Sequence, residues 1–153
     1  MKSIKMVSIL RKFPLFDELS EKEIFNLSGH FHLGFYSKGD LLFNKGAEHS
    51  HVYFILSGSV KSFFQERNGN EKAIEHLSKG EIFPITNLFK QTHYPASAKV
   101  IKDSTIISIP TSTFKEVLLN EQTLKVNYIK MIQYKIMNLE KKIQDHIFSN
   151  SIN

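Results

Sequence analysis

Between His32 and Ile109 the chain is cut into short apolar runs, and glycine stands in most of the gaps. The runs fall at 33–36, 41–43, 51–56, 60–65, 72–76, 99–101 and 105–109, and the glycines are Gly34, Gly39, Gly46, Gly58, Gly69 and Gly80. Runs this short, with a turn signal every ~8–12 residues, do not support a helical core and predict an antiparallel sandwich or barrel. Asn68-Gly69, between Phe63-Phe64 and Ala73-Ile74, predicts a tight hairpin with a primed turn, because glycine accepts positive φ without steric penalty.

Helices are expected on both sides of this β region. Residues 3–12 read as a short helix ended by Pro14, with Ile4, Val7, Ile9 and Leu10 apolar. Ser20-Glu21-Lys22-Glu23 is a capping box in front of a helix that places Ile24, Leu27 and Phe31 on one face. Residues 111–119 follow Pro110 with Phe114, Val117 and Leu118 apolar. From about residue 121 to 148 there is no proline or glycine, and Ile129, Ile132, Ile136, Leu139 and Ile143 recur at spacings of 3, 4, 3 and 4. That is an a/d seam. Tyr128, Met131 and Tyr134 form a neighbouring stripe. A helix of ~27 residues is ~40 Å long, more than a small β domain needs for packing. Its outward stripe therefore predicts a parallel homodimer with those five residues at the interface. The division expected is a β domain with its N-terminal helices over 1–119, a dimerisation helix over 120–148 and a frayed polar tail over 149–153.

Composition excludes several classes. There is no cysteine, hence no disulfide, zinc–thiolate or thiolate-held iron–sulfur site. No apolar run approaches the ~18 residues of a membrane span, and Met1-Lys2-Ser3-Ile4-Lys5 leads into too short an apolar stretch for a secretory signal. A cytoplasmic setting is the expectation. The formal charge of +5 fits a lysine-rich surface and does not by itself indicate nucleic acid. No nucleophile–base pair or nucleoside-triphosphate loop is present, and the chain is not expected to be an enzyme. Gly46-Ala47-Glu48-His49-Ser50-His51 with Gly58 superficially matches the first metal motif of cupin metalloenzymes. The positions that need a carboxylate are Tyr53, Phe54 and Ile55, and the second motif has no counterpart after Gly80, so a facial triad would be incomplete.

The order of motifs resembles the cyclic nucleotide-binding-like domain of Crp/Fnr transcription regulators. The matching stretches are Phe13-Pro14-Leu15-Phe16 with Leu19-Ser20, Lys38-Gly39-Asp40 with Lys45-Gly46, Val52 through Val60, Leu77 through Phe83, and Pro95-Ala96-Ser97-Ala98 followed by Asp103-Ser104. The resemblance implies a mainly β fold with flanking helices: a double-stranded β-helix, jelly-roll-like, followed by a long C-terminal dimerisation helix. It also implies a short helix after Gly80-Glu81 that cradles an effector phosphate with its N–H groups.

The chain departs from the cyclic AMP pattern inside that cradle. The family's Gly-Glu step falls on Pro84 and Ile85 and its phosphate-pairing Arg on Ala96; Ser97 alone is kept. Each lost charge-assisted contact removes about 1.5–3 kcal/mol, so cyclic AMP is expected to bind weakly or not at all. The effector pocket implied by the alignment and by helix phase is Phe83, Pro84, Ile85, Thr86, Tyr94, Ser97 and Ala98, with Tyr128 and Met131 from the helix. An apolar pocket beside a dimer helix leaves haem, as in the family's nitric-oxide sensors, among the candidate cofactors, with His93, His146, Met131 and Met137 as candidate iron ligands; an unidentified small effector is the other candidate. DNA contact is expected only through a winged helix-turn-helix module absent from this chain, which is read as a fragment. A stand-alone interaction module is the alternative.

Overall fold

The structure is a computed structural model and describes residues 3–151. Met1 and Lys2, and Ile152 and Asn153 of the tail expected to fray, lie outside the described residues. The elements run α1 (Ile4–Leu10), a 3-10 turn (Pro14–Phe16), α2 (Glu21–Ser28), β1 (His32–Tyr36), β2 (Leu41–Phe43), β3 (His51–Gln65), β4 (Glu71–Ser78), β5 (Ile82–Phe83), β6 (Ser97–Pro110), α3 (Thr111–Asn120) and α4 (Gln122–Ser151).

Strand pairing is antiparallel throughout, in the order β1-β6-β3-β4, with β2 also on β6 and β5 also on β3. Two pairs of separately predicted runs are joined. The 51–56 and 60–65 runs are one strand, β3, that bends at Gly58, and the 99–101 and 105–109 runs are one strand, β6. Gly58 has φ +98, and a Cβ there would lie 2.1 Å from Ser104 Oγ and 2.6 Å from the Asp103 carbonyl oxygen. Glycine is thus required both by backbone conformation and by the close approach of β6. Along this bend the β3–β6 register shifts, which is how two long strands curl into a roll.

The predicted hairpin forms, with a different turn. Glu66 N–H donates to the Asn70 carbonyl (2.8 Å) and Gly69 N–H to the Glu66 carbonyl (2.9 Å). Gly69 has φ +87, but Asn68 is not among the positive-φ residues. The loop is therefore Arg67-Asn68-Gly69 with glycine alone in the left-handed region, not a two-residue primed turn. Asn68 instead uses its side chain, whose Oδ1 accepts from Asn70 N–H (3.0 Å).

The capping box forms as read: Ser20 Oγ accepts from Glu23 N–H (3.1 Å) and Glu23 Oε1 from Ser20 N–H (2.8 Å). Two apolar clusters result. Under the roll, Phe54 of β3 meets Phe13, Phe31 and Phe114 edge-on and Phe16 face-on, at 5.3, 5.4, 6.0 and 5.9 Å between ring centroids. This cluster joins α1, α2, α3 and the first turns of α4 to the sheet. The other cluster lies inside the roll.

The last helix has three polar tethers to the body. Asn127 Nδ2 donates to the carbonyls of Leu15 (3.0 Å) and Asp17 (2.8 Å), Tyr128 Oη to the Ile85 carbonyl (2.5 Å), and Lys135 pairs with Glu75 of β4 (3.1 Å). From Ile136 to Asn150 every side chain is exposed. The helix continues through residues 149–151, where a frayed polar tail is expected from sequence, because no helix breaker stands before its end. No helix among the described residues is long and apolar enough to cross a membrane.

Candidate functional site

Residues 84–96, between β5 and β6, should hold the phosphate cradle implied by the resemblance. They form no helix. The chain makes a turn over 86–90, with Asn87 at φ +61 and its carbonyl accepting from Lys90 N–H (3.0 Å) and Gln91 N–H (2.9 Å). Pro84 contributes no N–H at the start of this segment. The helix N-terminus expected to gather amide donors for an anion is therefore absent from this segment.

Below this segment the roll is filled by aromatic rings. Phe43 stacks on Tyr94 at 3.7 Å and on Tyr53 at 5.8 Å, and Tyr53 stacks on Phe83 at 5.7 Å. Tyr94 is fixed at its far end: its Oη donates to the His51 carbonyl and accepts from His51 N–H, both at 2.9 Å. Burial pushes the Tyr53 hydroxyl pKa well above the usual tyrosine value, so it stays neutral. The one hydroxyl retained from the cyclic AMP pattern, Ser97 Oγ, accepts from Lys45 N–H (2.9 Å) and is 9 % exposed.

The nine residues assigned to an effector pocket are thus divided. Phe83, Tyr94, Ser97 and Ala98 are buried in or against the roll interior, Pro84 is half-buried and Thr86 is exposed. Ile85 turns to the other side and joins the cluster under the roll. Tyr128 and Met131 are half-buried against that same cluster. Burial pushes the Tyr128 hydroxyl pKa up to about 12, consistent with a neutral donor to Ile85.

Ile85 and Met131 do meet at a cavity. A cleft of about 570 Å³ runs between α4, the 3-10 turn and the β4–β5 turn, within the range of small-molecule sites. Leu15, Ile82, Ile85, Met131, Tyr134 and Leu139 form its apolar lining; Asp17 and Glu18 line it beside the 3-10 turn, Glu75 and Glu81 on the roll side, and Lys130, Lys135 and Lys142 on the helix side. The sequence reading missed the 3-10 turn and Glu75. Tyr134, in the Tyr128–Met131 stripe, was the signal available; the contribution of residues 14–18 is a contact across more than 100 positions and leaves no local trace.

The candidate haem ligands do not converge. His93 is exposed, with Nδ1 at 2.8 Å from Thr92 Oγ1; His146 is exposed on α4, with Nε2 at 3.0 Å from Asn150 Nδ2; Met137 is 64 % exposed. Met131 alone faces the cleft. No axial pair is assembled within one chain, and neither candidate histidine reaches the cleft. Nor do the described residues bring together three His, Asp or Glu side chains that could hold a metal ion.

The seam residues lie on α4 as the spacing predicts. Ile129, Ile136, Leu139 and Ile143 are 50, 47, 43 and 59 % exposed, whereas Ile132 is partly buried against the core. Ile147 and Phe148 extend the exposed apolar surface toward the end of the helix.

The sequence pattern of the cyclic nucleotide-binding domain family matches residues 33–121. The chain is 27% identical over 96 residues to the cyclic AMP receptor protein of Thermus thermophilus, a match covering 63% of this chain and 44% of that one. It is 22% identical over 94 residues to lysophospholipase NTE1 of Phaeosphaeria nodorum, covering 61% of this chain and 6% of that one. The chain therefore spans less than half the length of these curated relatives, and the domain occurs in regulators and within an enzyme. Among solved structures, the sensor domain of the transcriptional regulator DNR from Pseudomonas aeruginosa superposes with a TM-score of 0.72 at 22% identity, covering 90% of each chain.

Proposed function

Since this chain belongs to the cyclic nucleotide-binding domain family, we propose that it is the effector-sensing and dimerising region of a Crp/Fnr-type transcription regulator, and that its effector is not cyclic AMP. The observation that carries this reading is the pair of apolar faces on α4. One face, Leu124, Tyr128, Met131 and Ile132, packs on the domain and continues at Leu139 along the cleft; the other, Ile129, Ile136 and Ile143, is exposed. A helix that is apolar on a second, solvent-facing stripe buries it against another helix, and a second copy supplies an identical stripe. DNA is contacted only through a module outside this chain, and the chain itself performs no chemistry.

The effector lies in the cleft between α4 and the roll, where Ile85 and Met131 meet. A ligand there touches the helix beside its Lys135–Glu75 tether. It shifts the helix only by binding one helix position better than another.

Cyclic AMP meets a roll already filled by Phe43, Tyr53, Phe83 and Tyr94, without the phosphate-pairing Arg or the ribose acceptor. Loss of two charge-assisted contacts removes about 3–6 kcal/mol, more than a hundredfold in affinity. Titration calorimetry of the protein with cyclic AMP and cyclic GMP is expected to give no saturable heat at micromolar ligand. A micromolar dissociation constant for either would overturn this part of the reading.

A further inference from the structure

His49 precedes β3 in the loop that joins it to β2, within the Gly46–His51 stretch that superficially matches a metal motif. In the fold it is 7 % exposed. Its ring lies 4.6 Å from the Tyr94 ring, and neither ring nitrogen has a hydrogen-bond partner. The loop that carries it is sewn to the 91–94 segment by the backbone alone. Gly46 N–H donates to the Tyr94 carbonyl (2.8 Å), Tyr94 N–H to the Ala47 carbonyl (2.9 Å) and His49 N–H to the Thr92 carbonyl (2.9 Å), with a bridge between Glu48 and His93. Thr111 N–H, donating to the Ser50 carbonyl (2.9 Å), brings the first turn of α3 alongside.

A buried imidazole without partners is tolerated only when neutral. The charge that acts on this one is the Lys115 ammonium of α3, which repels a proton; Glu48, its chain neighbour, is exposed. Burial first, and Lys115 second, hold the His49 pKa below the usual histidine value, opposed by the Gln91 carbonyl, which is near the ring but outside hydrogen-bond geometry.

We propose that His49 is a proton-sensitive latch: protonation of its ring drives it out of the pocket beside Tyr94 and releases the 44–50 loop from the 91–94 segment. The sign follows from linkage. The open form binds a proton near the ordinary histidine pKa of about 6.5, and the closed form binds it more weakly. The latch is fully closed above that pH. It weakens as pH falls below it, by up to tenfold per pH unit, until the closed-form pKa is reached. Opening frees the ring that Tyr94 leans against, so acid loosens the aromatic plug of the roll. This inference does not depend on which effector occupies the cleft.

Hydrogen exchange on the whole protein, corrected for intrinsic rates, tests it at the amides of Gly46, His49 and Tyr94. Their protection is expected to drop between pH 7.5 and 5.0, while Phe54 and Ile106 amides hold. His49→Phe fills the same pocket with a ring that takes no proton, and is expected to abolish the drop. A drop of equal size in the variant would overturn the proposal. If His49→Phe does not fold, NMR titration of the wild-type His49 ring decides. A midpoint below 6.5 that coincides with the loop opening supports the latch; a midpoint at or above 6.5 overturns it.

Discussion

Phe54→Ala is expected to lower the unfolding free energy by about 3–5 kcal/mol, the largest loss for a single side chain in this fold. Phe54 is fully buried and contacts four other phenylalanine rings, contributed by the α1-to-3-10-turn connection, the 3-10 turn, the end of the α2 segment and α3. Truncation removes the transfer energy of the ring and leaves a void that neighbours from four separate elements cannot close together. In a domain of this size the loss corresponds to a melting-temperature decrease of about 10 °C. Urea unfolding followed by far-UV circular dichroism measures it directly. A loss under 1 kcal/mol would mean that Phe54 is not the point where helices and roll are joined.

The double variant Ile136→Glu with Ile143→Glu is expected to turn a dimer into a monomer. In a single chain these residues are 47 and 59 % exposed, so a carboxylate at either place is solvated and the fold is untouched. In a paired helix each change buries a charge in the seam, and the partner helix repeats it. Four unpaired carboxylates at one interface weaken association by far more than a thousandfold. Sedimentation equilibrium of the variant should give one chain mass, with the circular dichroism of the wild type. A variant that sediments as the wild type does would place any interface elsewhere.

Most of the fold was legible in the sequence because it is written in local periodicity. The Ser20–Glu23 box, the long helix α4 and the glycine-spaced strands all formed where expected. The joins were not. That the 51–56 and 60–65 runs are one bent strand depends on Gly58 meeting Ser104, a contact made only after β6 arrives. The Asn68-Gly69 pair marked a hairpin but not its turn, because an Asn side chain can satisfy the backbone by its own hydrogen bond.

The site was half legible. The alignment of Pro84, Ile85 and Ala96 with the cyclic AMP pattern is the sequence basis for proposing that cyclic AMP is not the effector. Helix phase placed Met131 on the domain side of α4. Phe83 at the end of β5 and Tyr94 of the following segment enter the roll while Ile85 turns out beneath it, and alternation of that kind in an irregular stretch has no period to read. His49 stood out in the sequence only as part of an incomplete metal motif, and its burial was not legible, because it comes from Tyr94, the 91–94 segment and α3, all distant in sequence.

Pairing of two parallel copies along the outward stripe of α4 fixes the distance between equivalent residues of the two helices. The chain contains no cysteine, so Glu140→Cys takes one spin label per copy, on the helix face between Ile136 and Ile143. Parallel helices packed at an axis separation of about 10 Å must hold two such labels at one short distance, under about 40 Å. Double electron–electron resonance is expected to show that single short distance. Absence of any dipolar modulation, or a distance well beyond that limit, would contradict the account.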